Sequence, residues 1–208
     1  LPQSPQLYKQ LLMLSGFDRY YQVARCFRDE DLRADRQPEF TQVDIEMSFV
    51  DENDIMTVNE GLVKLLMKKY CDVDVKLPLR RITYKEAMEK YGSDKPDTRF
   101  ELELIDLADA LTGCGFKVFS AALEAGGSVK AINVKGAAGT LTRKEIDKLT
   151  AWVKDYGAKG IAFTRVTEEA RSSSFEKFLT EEEMGRINAK TGCETGDVLL
   201  IIADADAK

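Results

Sequence analysis

The sequence predicts an α+β fold in which an antiparallel hairpin with its helices is followed by a second sheet covered by helices. Residues 20–27 and 39–50 alternate in polarity, as strands do, and a charged loop joins them. Capping-box signals that open helices recur along the chain. The run 198–203 is apolar throughout, which indicates a strand buried on both faces.

The first part of the chain supplies the hairpin and three helices. Ser4 is predicted to cap the first helix, and Gly16 lies just past its end. Asp51 is predicted to cap a long helix whose apolar side chains recur at helical spacing. The predicted elements of this part are helices over residues 5–14, 52–70 and 83–91 and strands over residues 20–27 and 39–50.

Residues 93–99 contain no large apolar side chain, which is typical of a connecting segment. We therefore predict two domains, residues 1–95 and residues 96–208. Capping boxes at Thr142 and Thr180 begin helices in the second domain. The predicted elements of the second domain are helices over residues 102–111, 142–156 and 180–191, strands over residues 116–119, 128–134, 160–166 and 198–203, and a turn at residues 136–139.

The composition excludes several kinds of chemistry. The absence of histidine removes Ser-His and Cys-His catalysis and histidine-ligated metals. The four cysteines are far apart, so we predict reduced thiols in a cytoplasmic protein rather than disulfides or a zinc site. A formal net charge of -6 provides no overall field for nucleic acid, and no apolar run is long enough to span a membrane.

The hairpin carries the most informative side chains, because each of its strands has one polar face. If the two faces coincide, Arg28 can hold a phosphate or carboxylate through paired charged hydrogen bonds, and Asp44 can hold an ammonium group. The small side chains between them leave room for a ligand. The two faces consist of Gln22, Ala24, Cys26 and Arg28 on the first strand and Gln42, Asp44 and Glu46 on the second.

An ordinary antiparallel sheet is the alternative interpretation of this pattern. A polar strand face opposite an apolar one is usually the solvent face. The loop at residues 28–36 also carries three arginines and four acids, which can pair with each other. Periodicity alone favours this alternative, because period-two strands are common and ligand-binding hairpins are not.

The hairpin nevertheless resembles a known motif. The run Phe27-Arg28-Asp29-Glu30, with Phe40 before an acidic strand, resembles motif 2 of the class II aminoacyl-tRNA synthetases. The loop at residues 31–42 is similar to that of the bacterial aspartyl enzymes and differs from those of the lysyl and asparaginyl enzymes. Residues 1–10 and 91–97 are similar to the aspartate-binding segment and to the start of the inserted domain in the same enzymes. The resemblance implies a partial class II antiparallel-sheet catalytic core in residues 1–95 and an α/β insertion domain in residues 96–208.

The resemblance implies a site for ATP. Arg28 would be the catalytic residue, stabilising charge that develops on the α-phosphate and also binding the substrate carboxylate. Glu30 would meet the adenine amino group, and Phe40 would stack on the adenine ring. The implied ATP-binding residues are Arg28, Asp29, Glu30, Gln37 and Phe40. Mg²⁺ is implied as well, with its ligands outside this sequence, and we assign no metal-binding residue here.

The resemblance also implies a site for L-aspartate. Lys9 would hold the side-chain carboxylate of aspartate, although a lysine on an amphipathic helix is normally a solvated surface residue. Asp44 would hold the ammonium group. The implied aspartate-binding residues are Ser4, Gln6, Lys9, Arg28, Gln42 and Asp44.

Contacts to tRNA are implied at two places. Arg33 and Arg36 would meet phosphates at the acceptor end, with a solvated loop as an equal alternative. In the second domain, a basic face towards tRNA competes with an ordinary solvated helix face. The candidate basic face consists of Lys135, Arg143, Lys144 and Lys148.

The implied activity is that of an aspartate–tRNA ligase, a homodimer in its full length and not attached to a membrane. The sequence begins without a methionine and lacks the family's Gly-rich motif with its late arginine, so we expect a part of a longer enzyme that is inactive alone. One alternative is a non-catalytic module that binds tRNA or a protein. Another is a synthetase specific for asparagine or lysine, which residues 33–37 argue against.

Overall fold

The computed structural model describes residues 1–31 and 34–205, and the chain forms two compact units, Leu1–Arg81 and Ile82–Lys208. The first unit is built around the predicted hairpin. Its strands pair antiparallel without a break, from Arg19 opposite Met47 to Phe27 opposite Glu39. The elements of this unit are α1 (Gln6–Leu14), β1 (Arg19–Phe27), β2 (Glu39–Met47) and α2 (Glu52–Cys71).

Two details at the ends of these elements differ from the predictions. The N-cap of α1 is Pro5, without a side-chain hydrogen bond, so the predicted cap at Ser4 is wrong. The second strand ends at Met47 rather than at residue 50, because Phe49 adopts a φ of 57°, which is incompatible with extended backbone. The predicted cap at Asp51 is confirmed. Its carboxylate accepts from the backbone N–H of Asn53 and Asp54.

The second unit contains an antiparallel sheet of five strands with helices packed on it. Its strands are β3 (Ile105–Asp106), β4 (Ser128–Val134), β5 (Ala162–Val166), β6 (Arg171–Ser173) and β7 (Val198–Asp204). Its α-helices are α3 (Tyr84–Tyr91), α4 (Ala108–Leu111), α5 (Lys117–Glu124), α6 (Arg143–Lys154) and α7 (Glu181–Thr191). Short 3-10 helices lie at Thr98–Phe100, Ala137–Gly139 and Glu176–Phe178.

The strand order is β3-β4-β7-β5-β6, and all four neighbouring pairs are antiparallel. The α/β character predicted for this part is therefore corrected to α+β, because an α/β fold requires parallel strands. Helix α3 belongs to this unit, since the backbone N–H of Leu104 donates to the Lys90 carbonyl at 2.6 Å and Tyr91 Oη donates to Glu103 at 2.8 Å. The unit thus begins before residue 96, and the predicted division into core and insertion stays a prediction.

The core of the second unit forms between the sheet and its helices. Strand β7 is central, and its Val198, Leu199 and Ile201 are at most 1% exposed, as the apolar run predicted. The strand predicted at residues 116–119 is wrong, because these residues begin α5. Phe119 and Leu123 lie one helical turn apart and both contact the core, which a strand would not allow.

Other predictions for the second unit had mixed outcomes. Residues 102–111 are helical only over Ala108–Leu111, because Ile105–Asp106 pairs with β4. The short strand β6 was missed, since its Arg-Ser-Ser sequence has no apolar pattern. Thr180 forms the predicted capping box with Glu183, whereas Thr142 begins α6 without a side-chain cap.

The Asp197 carboxylate joins the loop after β4 to the loop before β7. This carboxylate is 4% exposed and accepts from the backbone N–H of Gly136 at 2.9 Å and of Glu194 at 3.1 Å. Asn133 Nδ2 and Lys135 Nζ each lie 3.1 Å from Asp197 Oδ2. Burial acts to raise the pKa of Asp197, but these donors outweigh burial and lower the pKa to about 2.

All four cysteines are free, and only Cys71 among them is exposed. Burial raises the pKa of the Cys114 and Cys193 thiols. Among the described residues, no helix is both long and apolar enough to cross a membrane.

Replacing Phe119 with Ala should destabilise the second unit by about 3 to 5 kcal/mol, because the ring is fully buried. Urea unfolding followed by the emission of Trp152, the single tryptophan, reports this unit. Val118→Ala is the matched control, since Val118 is the residue before Phe119 and its side chain is 53% exposed. Similar losses of stability in Phe119→Ala and Val118→Ala would contradict the burial of Phe119 in the core.

Asp197→Asn should lower stability at neutral pH and flatten its pH dependence in acid. The folded pKa of about 2 lies below the ordinary 3.8, so the ionised carboxylate stabilises the fold above pH 4. This contribution, about 2 kcal/mol, is lost as the pH falls towards 2. Urea unfolding between pH 7 and pH 2.5 measures it, with exposed Asp94→Asn as the control. An unchanged difference between wild type and Asp197→Asn across this range would exclude the role.

Candidate functional site

The register of the hairpin brings the two polar strand faces together, which confirms the premise of the predicted site. Gln22 lies opposite Asp44, and Ala24 lies opposite Gln42. Residues directly opposite each other in antiparallel strands project to the same side. Ala24 and Cys26 are both buried and form the floor of this surface.

Helix α1 covers the polar face through Lys9. This side chain is buried, and its Nζ lies 2.6 Å from Glu46 Oε1 and 2.9 Å from Asp44 Oδ1. The hydrogen bonds that Lys9 donates to Glu46 and, with a smaller effect, to Asp44 raise the pKa of Lys9, so the ammonium is charged at every physiological pH. Lys9 is therefore not the solvated surface lysine that an amphipathic helix normally carries.

The apolar face of the hairpin is open, in contrast to the covered polar face. Val23 and Val43 are 64% and 57% exposed, whereas Lys9 on the polar side is 8% exposed. An ordinary half-buried sheet has the opposite arrangement. This inversion argues against the simple solvent-face interpretation of the polar strand pattern.

A second group of side chains gathers at the end of the hairpin, where the loop begins. Arg28 Nη1 lies 3.7 Å from Glu30 Oε1, and Arg36 Nη1 lies 2.9 Å from Glu30 Oε2. The Arg28 guanidinium lies over the Phe40 ring, 5.1 Å from its centroid. The backbone N–H of Arg28 donates to the Pro38 carbonyl at 2.8 Å, which fixes the start of the loop. Three residues of the predicted ATP site are thus in one place.

Two buried polar atoms on this surface have no hydrogen-bond partner among the described residues. They are Arg28 Nε, a donor, and Asp44 Oδ2, an acceptor. Buried polar atoms are almost always paired in folded proteins. One free donor on a cation and one free acceptor on a carboxylate match a ligand that carries both an anion and an amine.

The remaining predicted site residues make fewer contacts with Lys9 and Arg28. Gln42 Oε1 accepts from Cys26 Sγ at 3.1 Å, so Gln42 belongs to the floor. Gln6 lines a shallow pocket of about 300 Å³ together with Lys9 and Glu46. Among the described residues, no hydrogen bond or ion pair joins the exposed side chains of Asp29 and Gln37 to the Arg28 group.

The roles predicted for Ser4, Arg33 and Arg36 stay predictions. Arg33 lies outside the described residues, and Arg36 pairs with Glu30. Ser4 is half-buried before α1. Glu46 was not predicted to belong to the site. Its position on the same strand face as Asp44, two residues away, groups it with the polar face, whereas its role follows from its contact with Lys9.

The candidate basic face of the second unit is largely neutralised by its neighbours. Lys135 pairs with Asp197 at 3.1 Å, and Arg143 Nε pairs with an aspartate at 3.0 Å. Lys148 pairs with a glutamate at 2.8 Å. These ion pairs lower the positive charge of the face, and among the described residues Lys144 is the member of the set without an ion pair. Within residues 1–31 and 34–205, no cluster of three or more carboxylate or thiol side chains is arranged to hold a metal ion.

The Lys9→Met variant should destabilise the first unit by roughly 1 to 3 kcal/mol, because two carboxylates lose their shared cation. Lys68→Met is the matched control, since its ion pair with Asp72 is on the surface. Urea unfolding followed by far-ultraviolet circular dichroism measures both variants. An equal, small effect would mean that Lys9 does not anchor α1.

The comparison with protein families identifies the class of protein. The family model described as "tRNA synthetases class II (D, K and N)" matches residues 1–191. The chain therefore belongs to the class II tRNA synthetases of this group. The resemblance drawn from the hairpin motif is confirmed.

Individual relatives are more specific. The chain is 57% identical over 206 residues to the Aspartate--tRNA(Asp/Asn) ligase of Caldanaerobacter subterraneus subsp. tengcongensis, covering 99% of this chain and 35% of that protein. It is 56% identical over 207 residues to the Aspartate--tRNA ligase of Clostridium perfringens, covering 100% of this chain and 34% of that protein. The chain spans about a third of the length of these curated relatives.

Proposed function

We propose that the chain is part of an aspartate–tRNA ligase, which activates L-aspartate with ATP to aspartyl-adenylate and transfers the aspartyl group to tRNA. The observation that carries this proposal is the buried Lys9 held between Asp44 and Glu46 on the covered face of the hairpin. The identity of about 56% to bacterial aspartate–tRNA ligases supports it.

The buried ion pairs suit aspartate as the amino acid. Lys9 provides a positive charge for the side-chain carboxylate of aspartate, which the amide of asparagine lacks. Asp44 provides a carboxylate for the substrate ammonium, and its free Oδ2 is available for that contact. Glu46 keeps Lys9 charged and in place while Asp44 turns to the substrate. Gln6 lines the same pocket as Lys9, so we retain it in the proposed aspartate site, with Ser4 and Gln42 at its edge.

Arg28 is proposed to act on the reacting phosphate. When the aspartate carboxylate attacks the α-phosphorus of ATP, negative charge grows on the phosphate oxygens and pyrophosphate leaves. A planar, permanently charged guanidinium stabilises that charge through paired hydrogen bonds. Phe40 fixes the guanidinium from one side, and Glu30 fixes it from another. Phe40 and Glu30 then also limit where the adenine ring can lie.

The finer assignments rest on the resemblance. They include Asp29 and Gln37 as further ATP contacts, and Arg33 and Arg36 as contacts to the tRNA acceptor end. They also include a partial catalytic core in residues 1–95 and an insertion domain in residues 96–208. The full-length enzyme is proposed to be a cytoplasmic homodimer that uses Mg²⁺. The chain by itself is expected to form no adenylate in steady turnover.

Aspartate-dependent ATP–pyrophosphate exchange by the full-length enzyme tests the proposal. Arg28→Ala should lower the exchange rate about 100- to 1,000-fold, which is typical for loss of one group that stabilises transition-state charge. Arg25→Ala is the matched control, because Arg25 lies on the same strand, 71% exposed, and pairs with Glu39. Its exchange rate should stay within about twofold of wild type.

Other outcomes would reject the proposal in distinguishable ways. Exchange driven by asparagine or lysine would indicate a related synthetase. No exchange with any amino acid would favour a non-catalytic module that binds tRNA or a protein. Equal losses in Arg25→Ala and Arg28→Ala would remove the catalytic role of Arg28 while leaving the activity itself in place.

A further inference from the structure

Two aromatic side chains, Trp152 in the last turn of α6 and Tyr156 in the turn that follows the helix, are exposed to solvent. Trp152 is 55% exposed and Tyr156 is 75% exposed, and their ring centroids lie 4.8 Å apart. The two rings contact each other edge to face across the C-terminal end of the helix. Ile146, 1% exposed, anchors a different face of the helix in the core. Adjacent exposed aromatic rings of this size mark an interaction surface.

Lysines extend the line of the aromatic pair along the helix. Lys148 lies four residues before Trp152, and Lys144 lies four residues before Lys148. Residues 143–159 carry five basic and three acidic side chains. Three of the basic side chains are ion-paired: Arg143 with Asp147, Lys148 with Glu145 and Lys159 with Asp204. Within the part of the chain that the structure describes, Lys144 and Lys154 form no ion pair. Among the described residues, Lys144 is therefore the cation on the line of the rings that is free to meet a phosphate.

We propose that the α6 surface, formed by Lys144, Lys148, Trp152 and Tyr156, binds unpaired nucleotides of RNA. Bases stack on exposed aromatic rings, and lysines meet the phosphates between them. A protein partner fits less well, because protein interfaces are depleted in lysine, and here lysines continue the line of the rings. The proposal rests on the proposed function, in which tRNA is the RNA that this chain meets.

Trp152 reports on its own contact, because it is the single tryptophan of the chain. Titration of the 208-residue chain with tRNA, or with an unstructured single-stranded RNA, should quench its emission to saturation, whereas a fully paired RNA duplex should not. Tyr156→Ala should weaken binding about tenfold, which is typical for loss of one stacking ring. Tyr84→Ala is the control, since its side chain is 72% exposed on α3, off the α6 surface.

Three results would overturn the proposal. Emission that does not change with tRNA would exclude stacking on Trp152. Equal quenching by duplex RNA or heparin would show attraction by charge alone. Self-association of the chain in sedimentation, lost in Trp152→Ala, would assign the surface to a second copy.

Failure of this inference is separable from failure of the proposed function. Adenylate formation does not involve tRNA, so Trp152→Ala in the full-length enzyme should leave aspartate-dependent exchange unchanged and raise the KM for tRNA about tenfold. Unchanged exchange with an unchanged KM rejects the α6 surface alone. Quenching by tRNA with no exchange by the wild type rejects the ligase proposal and keeps the RNA contact.

Discussion

The register between β1 and β2 is the constraint on which the candidate site depends. Side chains alternate between the two faces of a strand, so a slip by one residue would move every polar side chain to the other face. In the register observed, Asp44 and Glu46 face α1 together and capture Lys9. The same register sets Phe40 opposite Cys26, at the end of the sheet where Arg28 follows. One alignment of nine pairs therefore positions both halves of the site.

The second unit depends on two other features. The apolar strand β7 is buried under helices, and the Asp197 carboxylate joins the loop after β4 to the loop before β7. Strand β7 lies in the middle of its sheet, which accounts for an apolar sequence without alternation. Asp197, directly before this strand, accepts hydrogen bonds from the loop after β4 and from the loop before β7. A polar group at this depth is tolerated because each of its hydrogen bonds is charge-assisted.

The parts of the fold that were predictable from the sequence are those with a local cause. The hairpin followed from its alternation, and the caps at Asp51 and Thr180 followed from residue type. The start of α5 was not predictable in the same way, because the short apolar run at residues 116–119 fits a strand or a helix until its partners are known. The site residues gained their assignments from the motif, whereas the role of Glu46 required a contact from a distant helix. Long-range pairing of that kind has no signature in a single strand.

Among the residues that the structure describes, the sheet of the first unit has two strands, and its apolar face is open. A two-stranded sheet has no interior strand, so every backbone hydrogen bond between its strands lies next to a solvent-exposed edge. Amide protons of β1 and β2 should accordingly exchange with solvent sooner than those of β7, which is flanked on both sides. We therefore expect the strands that carry the candidate site to open more readily than the central strand of the second unit.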